Sequence, residues 1–303
     1  MKLAAAGIAV VLIAGPIAAA DDLETVYQSL REAEGKKDAA QVKKLSAQTA
    51  TLARKAEAEP APSSDAEKDG WKQRIEYAKD AEQFSEYALY SVAIQSPHPT
   101  MIELLAQLEQ QNPKSKYLAE AYGTYFYALS QAGESAKIPV IAAKALANFP
   151  NNEDLLTVMA NSAFTNKQMD HALGYADRLV AALAKKPKPE GMSEADWDRK
   201  KTSGLGRGYW IAGIVRQSKN QYFDADRDLR ASLPLIKGDK IMTSYALFNL
   251  GLADYQLGRM TLSKTKVLEA AKFSEQCAAI DSPLHEQAWR NAQLMKDEAG
   301  RMR

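Results

Sequence analysis

The chain has 303 residues, with 39 Lys and Arg against 38 Asp and Glu, so its net charge is close to zero. Binding to phosphate backbones requires a basic surface excess, and neither the overall balance nor any local run provides one, which excludes a nucleic acid as the partner. The single cysteine, Cys277, excludes an internal disulfide, and its apolar helical setting predicts a buried thiol rather than intermolecular pairing.

Residues 1–20 have the pattern of a secretory signal. Lys2 precedes an apolar run from Leu3 to Ala14, and three alanines end at Ala20, where a signal peptidase needs small side chains. The alternative is a membrane anchor, but a span needs about 20 apolar residues and this run is shorter. We therefore expect cleavage after Ala20, a periplasmic or secreted protein, and no stable membrane insertion afterwards.

The rest of the chain predicts helices throughout. Strand signals are nearly absent, while apolar residues recur at helical spacing in segments of about 13 to 20 residues separated by Pro, Gly, Asn and Asp. Short amphipathic helices joined by tight turns indicate antiparallel helix pairs. Residues 21–58 are expected to form a helical hairpin that turns at 35–37, and residues 59–69 a Pro- and Ser-rich linker. Such a linker would tie the hairpin only loosely to residues 70–303.

Two adjacent segments, 119–152 and 153–186, are each 34 residues long and share one pattern. In each, small residues in the first helix precede a turn, at 132–134 and at 166–168, and an Ala-Leu pair follows in the second helix. The pattern resembles the tetratricopeptide repeat, a helix–turn–helix of 34 residues in which small side chains allow close helix crossing. Residues 206–239 and 244–277 resemble it too, with small Gly213 and Gly251 and turns at 220–224 and 257–259. Residues 82–115 resemble a degenerate copy, and residues 283–301 a capping helix.

The resemblance implies a right-handed superhelical solenoid of antiparallel helix pairs over residues 70–303. One interruption breaks the pattern at 185–191, after which Ser193 is expected to cap a long helix that runs towards Val215. The glycines at 204, 206 and 208 are expected to form a flexible joint ahead of the segment that begins at Tyr209.

Chemistry-bearing motifs are scarce. His98, His171 and His285 lack a second His or Cys at metal-ligand spacing, and no glycine loop follows a predicted strand. We predict no catalytic residues, no metal site and no cofactor, and therefore a protein that is not an enzyme.

In the tetratricopeptide family the first helix of each repeat lines a concave groove where partner segments dock. By analogy, a protein or peptide partner is expected to bind this chain through aromatic and amide side chains on those helices, half of which are expected to be structural instead. The candidates are Tyr127, Asn161, Phe164, Trp210, Gln217, Tyr245, Phe248 and Tyr255.

Two alternatives stay open at this point. The chain could be a structural subunit of a cell-envelope assembly, using its convex face or its N-terminal hairpin. It could also be a helical-repeat enzyme acting on envelope glycans or peptides, which would need a deep pocket with convergent carboxylates or a His with a perturbed pKa.

Overall fold

A computed structural model of the chain describes residues 17–302, with side chains from Asp22 onwards. Within that range the secondary structure is helical and contains no strand, which confirms the predicted all-α fold class. Most of the predicted signal segment, residues 1–16, lies outside the described residues. No helix in the described part of the chain is both long and apolar enough to cross a bilayer.

The chain divides into two compact units, residues 1–135 and residues 136–303. In the first unit the helices are α1 (Ile17–Gly35), α2 (Ala39–Glu57), α3 (Asp65–Ala93), α4 (His98–Gln111) and α5 (Lys116–Gln131). In the second they are α6 (Ile138–Ala145), α7 (Glu153–Thr165), α8 (Met169–Lys185), α9 (Glu194–Ser218), α10 (Tyr222–Ser232), α11 (Lys240–Met260), α12 (Lys264–Ala278) and α13 (His285–Arg301).

Within each unit, helices pack mainly on their neighbours in the chain. Each helix contacts the next one, and odd-numbered helices also contact each other: α1 with α3 and α3 with α5 in the first unit, α7 with α9 and α9 with α11 in the second. Each helix therefore packs against its neighbours in the chain, and direct contacts join α1, α3 and α5 in the first unit and α7, α9 and α11 in the second.

Five of the turns between helices have the same conformation. In each, one residue with positive φ ends a helix, and the N–H of the next residue donates to a carbonyl five positions earlier at 2.8–2.9 Å, which satisfies an otherwise unpaired helix-end group. In four of the turns that next residue is also the N-cap of the following helix. The positive-φ residues are Lys37, Gly133, Lys167, Asn220 and Leu262.

The N-terminal hairpin is firmly attached to α3, contrary to the loose tether expected from the linker. Leu23 of α1, Ala53 of α2 and Ala78 of α3 belong to one buried apolar cluster. At its edge, Arg54 Nε lies 2.6 Å from Glu82 Oε1. The composition of the linker does not predict this contact. The contact forms because apolar side chains on α1, α2 and α3 are buried against one another, whatever the linker residues are.

The expected flexible joint at residues 204–208 is wrong, because α9 is continuous through it. Ser193 caps this long helix as predicted, accepting from Asp196 N at 3.1 Å. A Cβ added at Gly208 would lie 2.7 Å from Val180 Cγ2 and 3.3 Å from the Ala176 carbonyl oxygen of α8. The glycine is therefore needed for close helix packing rather than for bending.

The single thiol is buried, as predicted. Cys277 of α12 has no exposed surface, and its Sγ donates to the Ser244 carbonyl oxygen of α11 at 3.2 Å. Burial raises the pKa of the Cys277 thiol to about 11, so the thiol stays protonated and unreactive at neutral pH.

Candidate binding surfaces

Six aromatic side chains form a continuous line in the first unit, which we call the aromatic row. Neighbouring ring centroids lie 5.4–5.8 Å apart, the contact range of aromatic pairs. α3 contributes four rings, and α1 and α5 one each, because both of these helices pack against α3. In order along the row, the members are Tyr77, Tyr27, Phe84, Tyr87, Tyr117 and Tyr90.

The spacing of the α3 rings places them along one side of that helix. Along α3 the ring-bearing residues follow Tyr77 at steps of seven, three and three residues. Each step is close to one or two complete helical turns of 3.6 residues, so the rings lie on the same side. The neighbouring face of α3 is buried, and Ala78, Ala88 and Leu89 on it have no exposed surface. The rings therefore lie at the border between the core and solvent.

Core packing and cations hold the aromatic row in place. Tyr87 is 39 % exposed and the other five rings are half-buried. The Arg31 guanidinium carbon lies 5.9 Å from the Tyr27 ring centroid, and Lys116 Nζ lies 5.0 Å from that of Tyr117. The result is a surface of fixed aromatic rings that keep part of their area in water.

Two hydroxyl groups of the row, those of Tyr77 and Tyr90, have a raised pKa. Burial raises the pKa of Tyr77 and of Tyr90, and the nearby Glu24 and Glu120 carboxylates raise them further. The Tyr77 hydroxyl is buried and has no hydrogen-bond partner among the described residues. The row thus combines apolar area with polar groups at its edge.

The second unit has a shorter counterpart, which we call the aromatic triad. It comprises Phe164 of α7, Trp210 of α9 and Tyr245 of α11, with centroid distances of 5.2 Å and 6.4 Å. Trp210 is only 7 % exposed and its Nε1 donates to the Met242 carbonyl oxygen at 2.9 Å. Phe164 and Tyr245 are half-buried, so the triad shows its two outer rings to solvent.

The other sequence-predicted groove residues are dispersed. Tyr127 is 58 % exposed, and its ring contacts that of His98 edge-to-face at a centroid distance of 5.5 Å. Phe248 is buried in a cluster with Cys277. Tyr255 packs towards α13, and its hydroxyl donates to Glu298.

The two predicted amide side chains, Asn161 and Gln217, lie half-buried on α7 and α9. Burial gives Trp210 and Phe248 a packing role in the core. Replacing either with alanine would therefore lower stability as well as any binding, and neither is a clean probe of a docking surface.

The aromatic row is absent from the sequence prediction, which placed all candidate residues after position 120. Residues 82–115 match the repeat pattern poorly, and the Pro-rich linker at 59–69 predicts a separate hairpin. The available signal was the density of aromatic residues between 77 and 90. What joins them to Tyr27 and Tyr117 is the packing of α1 and α5 on α3, which no local pattern predicts.

A cluster of three acids and two bases, centred on the buried Asp254, joins α10, α11 and α12. Asp254 has no exposed surface, and its carboxylate lies 2.6 Å from Arg230 Nη2 and 3.0 Å from Lys266 Nζ. Arg230 also contacts Asp226 at 2.7 Å and Glu269 at 2.9 Å. We call these five residues the charge cluster.

The two aspartates of the charge cluster share a proton near neutral pH. Burial raises the pKa of Asp254 to about 7, and its contact with Asp226 adds to the shift. Burial also acts to raise the pKa of Asp226, but hydrogen bonds from Asp254 and Arg230 outweigh it and lower that pKa. Carboxyl pairs with separated pKa values occur in active sites. Here the Asp254 carboxyl is sealed off from solvent and held by Arg230 and Lys266, so a substrate has no access to it.

A second buried carboxylate, that of Glu153, connects α7 to its neighbours through two lysines. Glu153 is 3 % exposed, and its carboxylate lies 2.6 Å from Lys186 Nζ and 2.9 Å from Lys200 Nζ. Burial acts to raise the pKa of Glu153, but the hydrogen bonds from both lysines outweigh it and lower that pKa. This contact ties the start of α7 to the end of α8 and to α9, which is a structural role.

Other sites for chemistry are limited. Among residues 17–302, no group of three or more His, Cys, Asp or Glu side chains is arranged to hold a metal ion. A groove of about 490 Å³ runs between α1 and α2, and Asp22 is the one titratable side chain in its lining. Comparison with protein-family models, with curated proteins and with solved structures found no match to this chain.

Proposed function

We propose that this chain is a non-enzymatic binding protein of the cell envelope, built from tetratricopeptide-like helix pairs. On this proposal, each unit stacks its pairs in the manner of a solenoid, and the odd-numbered helices present a surface to a protein segment. Three features support it: the contacts between adjacent and next-but-one helices, the repeated turn, and the 34 positions that separate the turn residues Gly133 and Lys167. The signal-like residues 1–20 support a periplasmic or secreted location.

The aromatic row is the observation that carries the proposal. Fixed aromatic rings bury a large area at little cost in side-chain entropy, which is why Tyr and Trp dominate binding hot spots. Six such rings in contact, with polar groups at their edges, suit an extended or helical protein segment that supplies apolar side chains and backbone hydrogen bonds. The aromatic triad is the corresponding surface of the second unit.

Tyr87 is the best position for a test because it is the most exposed ring of the row. A random peptide library would be selected on the full chain, and the enriched peptides measured against Tyr87→Ala. We expect affinity to fall about tenfold or more, the usual effect of truncating an aromatic hot spot.

Phe223→Ala is the matched control, since Phe223 is 67 % exposed but lies on α10 in the second unit. The affinity of the Phe223→Ala variant for the same peptides should equal that of the unmodified chain. Thermal unfolding monitors the fold of both variants. The proposal fails if no peptide is enriched, or if the enriched peptides bind Tyr87→Ala and the unmodified chain equally well.

A further inference from the structure

The last helix, α13, has one buried face and one unpartnered face. The buried face packs on α12 through small side chains and Met295. Two large apolar side chains, Trp289 and Leu294, lie on the two flanks of the opposite face, and each is 55 % exposed. Between them runs a line of exposed polar residues at steps of three or four: Glu286, Arg290, Gln293, Asp297 and Arg301.

Trp289 and Leu294 are five positions apart, about 140° around the helix, so they border the polar line from its two sides. In addition, Arg290, Asp297 and Arg301 form no ion pair with any described residue, although each is exposed and available. A partner that covers this face must supply both apolar contacts and charges of opposite sign.

The charged residues of this face are complementary to those of a second, antiparallel copy of the same helix. In an antiparallel pair centred between Gln293 and Leu294, Glu286 of one copy faces Arg301 of the other. In the same register Arg290 faces Asp297, and the reciprocal pairs follow by symmetry. Four opposite-charge contacts therefore form at once, as an interface between identical surfaces requires.

Neighbouring arrangements do not have this property. Sliding one helix by one turn of four residues in one direction places Glu286 opposite Asp297, and in the other direction Arg290 opposite Arg301. A parallel pair places Arg290 opposite Arg290. Like charges facing each other are unfavourable, so the charge pattern selects one register and one orientation.

We propose that α13 is a self-association surface, on which two copies of this chain pair antiparallel across a two-fold axis. Leu294 lies next to the axis and contacts Leu294 of the second copy. Trp289 lies on the opposite flank, near Gly300 of the second copy, where no side chain obstructs it. The occupant of the face is thus a second copy, chosen by its charge complementarity.

The contact is limited to one helix of 17 residues, about 25 Å in length. Interfaces of this size sit at the weak end of specific association, so the dimer is expected at tens of micromolar and above. Its ion pairs lie at the surface, and the association should weaken as salt is raised. Sedimentation equilibrium of the full chain at low salt, up to several hundred micromolar, is the suitable measurement.

Two charge reversals test the register. Arg290→Asp places two Asp–Asp contacts in the dimer, and Asp297→Arg places two Arg–Arg contacts. Each variant alone should associate about tenfold more weakly than the unmodified chain, because two attractions become repulsions. Mixed in equal amounts, the two variants should associate with each other as well as the unmodified chain does with itself, since both contacts become Asp–Arg pairs.

Circular dichroism of each variant checks that these exposed substitutions leave the fold intact. The double variant, Arg290→Asp with Asp297→Arg, should recover self-association. A chain that remains monomeric at all concentrations would overturn the proposal. So would single variants that dimerise normally, or a mixture that associates no better than its components.

Discussion

At the scale of single residues, small side chains decide how closely the helices approach. A Cβ at Gly258 of α11 would lie 2.7 Å from Val267 Cγ2 and 2.9 Å from the Val267 backbone nitrogen. Backbone atoms in a packed helix cannot move aside at low cost, so the absence of a side chain at 258 is required. Gly174 of α8, by contrast, has no heavy atom within 4 Å of its Cβ position.

The two glycines form a matched pair for mutation. Gly258→Ala should lower the free energy of unfolding by roughly 1–2 kcal/mol, since the packing strain exceeds the gain in helix propensity. Gly174→Ala should raise it by about 0.5–1 kcal/mol, because only the propensity gain applies. Chemical denaturation followed by circular dichroism measures both. Equal effects of the two substitutions would contradict the packing argument.

A second residue-scale prediction concerns the turn after α11. Leu262 has φ near 50° and is 83 % exposed, so it bears the cost of a left-handed conformation without gaining burial. The sequence prediction placed this turn at residues 257–259. That is wrong because Gly258 is used for packing, and the helix continues to Met260.

Leu262→Gly should therefore raise the free energy of unfolding by roughly 0.5–1 kcal/mol, because glycine adopts positive φ without steric cost. Leu262→Ala is the control. It removes the same exposed apolar surface but keeps the conformational cost, so its stability should stay close to that of the unmodified chain. If both variants unfold at the same denaturant concentration, the turn is not strained.

At the scale of elements, the charge cluster makes the packing of α10, α11 and α12 dependent on pH. The pKa of Asp254 is raised from its ordinary value of 3.8 to about 7 in the folded chain. Between about pH 4 and pH 7 the folded state thus binds a proton that the unfolded state releases. Raising the pH through this window favours the unfolded state, and the stability from this group is lost.

We expect the second unit to be more stable at pH 5.5 than at pH 8, by on the order of 1–3 kcal/mol from Asp254. Asp254→Asn removes the titrating carboxyl and leaves two acids with two bases in the cluster. The variant should therefore lose the part of the pH dependence that comes from residue 254. Denaturation of both proteins at each pH gives the effect of Asp254 as a difference, in which other titrating groups cancel. A variant with the pH dependence of the unmodified chain would refute the assignment.

Local sequence signals predict where some helices begin and end, but not which helices contact each other. The second half of the 119–186 region was well placed, because Asn152 caps α7 and the turn at Lys167 separates α7 from α8. Both are local signals. The continuity of α9 was not predictable, since three glycines argue for a break and only the close approach of α8 explains them.

At the scale of the whole molecule, local sequence composition was a poor guide to the compact units. The Pro-rich linker suggested a boundary near residue 60, whereas the chain divides between Ser135 and Ala136. Amino-acid composition indicates the conformational preference of an isolated segment. A compact unit is defined instead by the apolar helix faces that pack against each other. The aromatic row escaped prediction for the same reason, since its six rings come from three helices that are distant in sequence.

The repeated turn also bears on how the chain reaches its folded state. Four of the five turns end one helix and begin the next within three residues, so two helices can meet after closing a very short loop. Within each unit the substantial contacts join helices that are adjacent or next but one in the sequence. Such low contact order costs little loop-closure entropy and is associated with rapid folding. Helix pairs can accordingly form one after another as the polypeptide is released, without waiting for its distant end.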